Sequence, residues 1–516
     1  MVTTAENNKR IAKNTLLLYV RTLFGMIVGF YTSRVLLKTL GVEDLGIYNV
    51  VGGVVTMFGF LSSSLSGATQ RYITVGLGYG DMLRLNKLFS ITLSIHLVFA
   101  VIIIVLAETI GLWFLMNKMQ IPMERMNAAL WVYQGSIVTT VIMIISVPYK
   151  AAIIAHERMD IFAYLSILET ILKLGILFLL PCFSVDNLIL YAILIVISQL
   201  FMRICYKCYC NKYFEETMYH WIWDKTLFKE ILVYTGWTLN GNLAVIGYTQ
   251  GLNILLNLFF SPVVNAARSI AVQVDAGVRV FCSNFQTALN PQLTISYTQG
   301  NYAYMHQLMA LSSKFSCYLV LFLSLPVMFE VTFILECWLT VVPDYTTVFV
   351  RIILLSSMLS AIANPIIISI HATGNIRYFQ IVEGSILLSI VPLSYLLLKF
   401  TNVPPQSVFL VHLVVEICAQ YARIRIVLPQ VHMSINKYIK QVIYPILAVG
   451  LLSPILPYIV YSQLPKHTLV SFAIVSMICF LSTALSVFFV GCTIDERAMM
   501  KMQMGKLYKK IKLHRL

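Results

Sequence analysis

The chain has 516 residues, 59% of them hydrophobic and only 11% charged, with a mean hydropathy of +0.81. Such a composition excludes a soluble globular enzyme and predicts an all-α, polytopic membrane protein. The formal net charge of +15 falls in short loops and the C-terminal tail, which points to membrane topology and attraction to anionic lipid, with no nucleic acid as partner.

The N-terminal MVTTAENNKRIAKN is polar and basic and enters an apolar run without a small-residue cleavage site close behind, the pattern of an uncleaved signal anchor. Segments apolar and long enough to span about 30 Å as helices lie near 14–40, 44–70, 87–116, 121–149, 158–181, 184–208, 229–256, 262–290, 312–337, 345–371, 376–399, 405–428, 438–461 and 467–491, fourteen in all. With a cytosolic N-terminus, 26 of the 37 Lys and Arg residues fall on inside segments, Lys314, Arg423 and Arg425 among them, and 5 on outside segments. The positive-inside rule then places both termini in the cytoplasm. No loop exceeds about 25 residues, so any chemistry happens within the bundle.

Span one carries Arg21 and Arg34, about 140° out of phase, so both face one cavity only if Gly25 and Gly29 permit a bend; each is also close enough to a helix end to snorkel. His96 lies alone in span three. Glu169 and Lys173 in span five form an i,i+4 pair in the favourable order. The CYKCYC cluster, Cys205, Cys208 and Cys210, lacks partner ligands at zinc spacing, so no metal is expected. The connection KCYCNKYFEETMYHWIWDKTLFKE is aromatic and charged and is expected to lie on the inner surface as a short interfacial helix. It divides the chain into an N-terminal lobe (1–210), a linker (211–228) and a C-terminal lobe (229–430), followed by spans thirteen and fourteen (431–492) and a basic tail (493–516). At an offset of 220 residues SLSGATQRYIT falls on NFQTALNPQLT, so the lobes read as a repeat around a central cavity.

Span seven is rich in amides: Asn240, Asn242, Gln250, Asn253 and Asn257 can bond sugar hydroxyls or glue helices together. Span eight holds Arg268, Asp275 and Arg279 on one helical face, continued by Gln286 and Asn290. An internal Asp275–Arg279 pair would leave Arg268 unexplained; a water-filled cavity that receives an anion accounts for all three. Arg351 in span ten repeats the ambiguity of span one. Glu383 suits an interhelical hydrogen bond, and His412 with Glu416, again i,i+4, can do the same or exchange a proton near neutral pH. In the tail, Thr493 and Glu496 fit a capping box, and the basic residues beyond suit an anionic leaflet.

The runs LLKTLGVEDLGIYNVVGGVV, ATQRYIT, AAIIAHERMDIFAY, VVNAARSIAVQV and NFQTALNPQ resemble the polysaccharide-transport family, the branch of the multidrug/oligosaccharidyl-lipid/polysaccharide superfamily that holds the O-antigen repeat-unit flippases. The resemblance covers roughly residues 10–430. It implies a non-enzymatic, cofactor-free flippase of the bacterial inner membrane, which carries undecaprenyl-pyrophosphate-linked oligosaccharide outward by alternating access for O-antigen, capsule or exopolysaccharide. Membrane lipids, a polysaccharide polymerase and chain-length machinery are its implied partners. Arg268, Arg279, Arg34 and Arg21 would hold the pyrophosphate, and Asn240, Asn253, Gln250 and Gln286 the sugars. Asp275, Glu169, Glu416 and His412 would couple transport to protons or sodium. Asp275 departs from a purely cationic lumen. A cation-coupled drug or metabolite exporter of the same superfamily is the alternative, although such exporters have twelve spans and acid-biased cavities. A glycan polymerase or ligase is a further alternative, but it would need a large periplasmic loop that is not present.

Overall fold

A computed structural model describes residues 4–56, 59–118, 121–222, 224–260, 262–339, 342–465, 467–494 and 496–498, and among them there are helices and no strand. The first seven helices are α1 (Thr4–Thr56), α2 (Gly59–Tyr79), α3 (Met82–Leu106), α4 (Leu112–Lys118), α5 (Met126–Ala155), α6 (Met159–Leu179) and α7 (Asn187–Tyr213). Then follow α8 (Lys225–Phe259), α9 (Pro262–Thr298), α10 (Tyr302–Phe329), α11 (Val331–Trp338), α12 (Thr346–Thr373), α13 (Arg377–Leu388) and α14 (Ile390–Phe400). The last five are α15 (Ser407–Gln430), α16 (Ile435–Tyr438), α17 (Tyr444–Leu452), α18 (Ile455–Gln463) and α19 (Leu469–Ser486). In lipid a helix satisfies its own backbone polar groups, which is why long apolar runs adopt no other form. Their outer faces carry exposed Val98, Val101, Ile197, Leu200, Ile474 and Met477, solvation by lipid tails rather than a liability.

Eleven helical segments among the described residues are long and apolar enough to cross a membrane. Of the fourteen expected spans, 44–70, 229–256 and 262–290 are not among the eleven. All three are largely helical, but they are the segments richest in Gly, Ser, Asn or charge, which lowers their hydropathy. The break expected between spans one and two is also absent, because α1 runs unbroken through LKTLGVEDLG. Its 53 residues would reach about 80 Å if straight, far more than one bilayer. Leu36, Leu40, Ile47 and Val51 share one buried cluster with Leu115, Tyr133 and Leu188, and that packing carries the helix past the expected turn.

The connection after α7 is corrected as well. In place of an interfacial helix it forms a single 3-10 turn, Glu215–Thr217, and then an extended strap. Three side chains a turn apart on α3 hold the strap: Asn86 Nδ2 donates to the carbonyls of Glu216 (3.0 Å) and Met218 (2.9 Å), Ser90 Oγ accepts from the His220 amide (3.2 Å), and Ser94 Oγ meets the Tyr219 hydroxyl (3.2 Å). These bonds satisfy backbone groups that a helix would have paired internally.

The chain forms two compact units, Met1–Leu243 with Thr287–Asn301 and His371–Ile381, and Ala244–Gln286 with Tyr302–Ile370 and Val382–Leu516. Helices α8, α9, α12 and α13 have residues in both. Some turns and prolines of the two halves of the sequence have matching spacings. Gly80 (φ +73°) and Gly300 (φ +71°) end α2 and α9 in the left-handed conformation, 220 residues apart. Pro148 in α5 and Pro365 in α12 are 217 residues apart, as are the left-handed residues that follow, Glu157 (φ +57°) and Gly374 (φ +80°). A left-handed residue just past a helix end captures orphan carbonyls, and glycine does so without a Cβ penalty.

Candidate functional site

The polar interior of the second unit is built on α8, α9, α12, α13 and α15. Arg268 on α9 is only 7% exposed. Its Nη2 donates to the Thr249 carbonyl at 3.0 Å and its Nη1 to Asn253 Oδ1, both on α8. Asn253 is oriented by its own bonds: its Nδ2 donates to Gln250 Oε1 at 3.0 Å, and its carbonyl accepts from Asn265 Nδ2 at 3.1 Å. Every hydrogen-bond partner of this guanidinium is neutral, and no carboxylate pairs with it among the described residues.

Asp275, also 7% exposed, accepts from Ser357 Oγ on α12. Its other oxygen lies 3.8 Å from Arg279 Nη1, and the Arg279 side chain is 53% exposed. This i,i+4 pair is therefore loose, with the acid inside and the base reaching outward. A second ionic group lies on α13 and α15: Arg423 donates from Nε to Glu383 at 2.6 Å and from Nη1 to Glu416 at 2.8 Å, with Gln420 Oε1 at 3.3 Å. Tyr248 and His412, their rings 5.2 Å apart, stand within electrostatic reach of both groups, Tyr248 of Arg268, Arg279, Glu416 and Arg423, and His412 of Glu416, Arg268 and Arg279. Two buried arginines, the outward-reaching Arg279 and three carboxylates thus make up this set, and their formal charges cancel.

The structure gathers Arg268, Arg279, Asp275, Asn253, Gln250, His412 and Glu416 on these helices and leaves other candidates elsewhere. Gln286 is buried and donates to Ser316 Oγ (3.0 Å) and the Ala361 carbonyl (2.9 Å), a tie between helices. Asn240 is exposed and belongs to the first unit. Glu169 accepts from Lys173 at 2.9 Å and Gln199 at 3.0 Å, and Arg21 stacks over Phe162 at 5.1 Å. The side chains of Arg34 and Asn257 lie outside the described residues. Arg351 donates to the Met328 carbonyl at 3.0 Å, and His96 is fully buried with Nδ1 2.8 Å from the Thr92 carbonyl.

Two residues expected among the inside charges are buried. Arg423 is clamped by its two carboxylates within α15, which continues to Gln430. Lys314, 2% exposed, pairs with Glu496 at 2.8 Å. A count of loop charges cannot find such residues. For Arg423 the available signal is its seven-residue spacing from Glu416, which puts both on one helical face.

A further polar cluster in the first unit joins segments far apart in sequence. Glu157 is buried; Arg10 Nε reaches it at 2.8 Å, Gln292 donates to its carboxylate and Asn14 to its carbonyl at 3.1 Å. Burial pushes the Glu157 carboxyl above its ordinary pKa, against the pull of Arg10 and Gln292. Arg71 lies 4.7 Å from the centres of both the Tyr72 and Tyr234 rings and donates from Nε to the His371 carbonyl. Its Nη2 occupies the space that a Cβ at position 374 would need, so Gly374 serves this close approach as well as the turn.

No protein-family profile and no curated protein matches the sequence. Solved structures do. An outward-facing multidrug resistance MATE family transporter of the MOP superfamily superimposes with a TM-score of 0.68 at 13% identity, covering 83% of this chain and 96% of that one. The Vibrio cholerae MATE transporter VcmN, as a single-site variant, gives 0.65 at 16% identity, covering 85% and 98%. The MATE transporter ClbM in complex with Rb+ gives 0.64 at 14% identity, covering 81% and 94%. The chain therefore shares the fold of these MATE transporters, on a multi-pass helical membrane scaffold.

Proposed function

We propose that the chain is a secondary transporter that moves its cargo across a membrane by alternating access, and that the cargo carries negative charge. The observation behind the charge assignment is Arg268, a buried guanidinium held by neutral groups alone. Such a cation is costly to keep in a low-dielectric interior and is matched when a phosphate or carboxylate arrives. Because the six formal charges of the two ionic groups and Arg268 cancel, an anion at Arg268 or Arg279 leaves the set negative until a proton or sodium ion joins it. Glu383, Glu416, Asp275 and His412 are the groups that can receive one.

Two cargoes compete for this site. The structural neighbours favour a cation-coupled exporter of drugs or metabolites, since one of them is a multidrug resistance transporter. On likeness of fold this reading is the better supported, and Arg268 restricts it to cargo with an anionic group. The second reading is a flippase for undecaprenyl-pyrophosphate-linked oligosaccharide, working in the bacterial inner membrane with both termini cytosolic and beside a polysaccharide polymerase. It rests on the sequence runs quoted above and on the two arginines of α9, whose charge matches a pyrophosphate headgroup.

A deletion strain separates the two. Loss of a surface polysaccharide, with lipid-linked repeat units held on the cytosolic face and drug resistance unchanged, selects the flippase. Intact polymer with new sensitivity to amphipathic anionic drugs or dyes selects the exporter. If both phenotypes are wild-type and the purified protein in vesicles moves neither class, the transporter proposal fails.

A further inference from the structure

Between α3, α5, α7 and the strap lies a cavity of about 460 Å³, wholly within the first unit and remote in sequence from the arginines of α9. Its wall is divided by chemistry. Leu93, Leu97 and Ile145 form an apolar end, while Arg203, Lys207 and Asn211 project from successive turns of α7 at the other. No carboxylate lines it, and neither Arg203 nor Lys207 pairs with one among the described residues. Nη1 of Arg203 is buried and has no hydrogen-bond partner there, a charged donor still lacking an acceptor. Tyr149 on α5, Met218 and Tyr219 complete the wall, the last two positioned by the bonds from Asn86 and Ser94 that pin the strap to α3.

The surroundings identify the phase from which a ligand comes. Leu97, Val98 and Val101 on α3 and Ile197, Leu200 and Ile204 on α7 are exposed large apolar side chains, a surface suited to acyl chains. Lys207 is exposed one turn beyond Ile204, so the basic end adjoins the same surface. Trp221, further along the strap and 81% exposed, has the amphipathic character that gathers at headgroup depth.

The geometry points to a binding site for one anionic phospholipid: its phosphate sits on Arg203 and Lys207, Asn211 bonds its polar headgroup, and an acyl chain lies along Leu93, Leu97 and Ile145. The positive-inside assignment puts it in the cytosolic leaflet. Phosphate chemistry is shared with water-soluble anions, but an aqueous ligand has no use for the apolar end or for the lipid-facing rim. The site is independent of the cargo proposed above, and its test needs no transport.

The full-length protein, purified in detergent and stripped of lipid, is titrated with phosphatidylglycerol and with phosphatidylcholine, and bound lipid is counted by native mass spectrometry. One phosphatidylglycerol is expected to remain bound, phosphatidylcholine to be lost, and millimolar inorganic phosphate not to displace the lipid. Arg203→Gln with Lys207→Gln should weaken binding roughly tenfold to thirtyfold, from about 1 kcal/mol for each basic residue near an anionic headgroup. Lys207→Glu alters an exposed side chain, leaves folding intact and should weaken binding as well. Equal retention of phosphatidylcholine, displacement by inorganic phosphate, or undiminished phosphatidylglycerol binding in Lys207→Glu would each overturn the assignment.

Discussion

Each unit holds one arginine between two carboxylates, and the two arrangements differ in solvent. In the first, Arg125 bonds Asp44 and Asp186 where α1, α5 and α7 meet, with side chains 26%, 18% and 30% exposed. In the second, Arg423 bonds Glu383 and Glu416 with 4%, 11% and 5% exposed. Water shares the surplus negative charge of the first clamp, and Asp186 spends part of its capacity capping α7 through the Leu188 and Ile189 amides at 2.9 and 3.2 Å. The second clamp has only protein to answer its surplus. An identical set of charges is thus a structural pin at the rim and an electrostatic constraint in the interior.

The largest expected effect follows from this contrast. Arg423→Gln strands two buried carboxylates and should cost about 3–5 kcal/mol, seen as lost membrane abundance and a lower melting temperature. Adding Glu383→Gln should recover part of that loss. If Arg423→Gln melts with the wild-type protein, the interior clamp is no more than a pin and the contrast is broken. Next comes Arg268→Ala, expected at matched abundance to reduce transport on the order of tenfold or more, with partial recovery in Arg268→Lys because charge survives without the guanidinium fork. Full activity in Arg268→Ala removes this residue from the cargo site. Third, Asp275→Asn with Arg279→Gln should shift stability by less than about 1 kcal/mol, because the contact is long and half-exposed; a large loss would show that Asp275 is held by Arg279 rather than by Ser357.

Two carboxylates outside the spans sharpen the comparison through pH, with opposite signs. Burial pushes the Asp186 carboxyl up, but its hydrogen bonds to Arg125 and the Ile189 amide outweigh that and hold it below 3.8. Its stabilising contribution is present above 3.8 and disappears as pH falls through the depressed folded value. Glu157 is held above 4.5 by burial, so the folded state takes up its proton first, and stability rises as pH falls from that raised value toward 4.5. Glu157→Gln should abolish the second trend and Asp186→Asn the first, as read from melting temperature against pH. The smallest effect is expected for Arg125→Gln, about 1 kcal/mol or less; a collapse comparable to that of Arg423→Gln would erase the distinction.

The helical class, most of the spans and the shared face of Arg268, Asp275 and Arg279 were legible in the sequence, because lipid leaves the backbone one main choice and helical phase follows from spacing. The turns at Gly80 and Gly300 obey a local rule, a left-handed glycine just past a helix end. What stayed hidden depends on partners distant in the chain. The i,i+4 spacing of Asp275 and Arg279 allowed an internal pair, but nothing in the spacing pointed to Ser357 on another helix as the partner that bonds the acid. Arg423 resembled a loop charge because Glu383 lies 40 residues away. The strap resembled an interfacial helix until Asn86 and Ser90 offered better partners for its backbone.

The bond between Lys314 and Glu496 bears on how this protein is made. The two residues are separated by 182 positions, so at about 5–20 residues per second the ribosome needs roughly 10–35 s after making the lysine to make its counter-ion. Throughout that interval α10 carries an unmatched ammonium group destined for burial. Glu496 also closes the capping box, accepting from the Thr493 amide at 2.8 Å, so its synthesis completes that box and neutralises the lysine in one event. Maturation of the second unit therefore waits until translation has passed Glu496, and a nascent chain stopped before that glutamate presents membrane quality control with a buried cation as its mark of incompleteness.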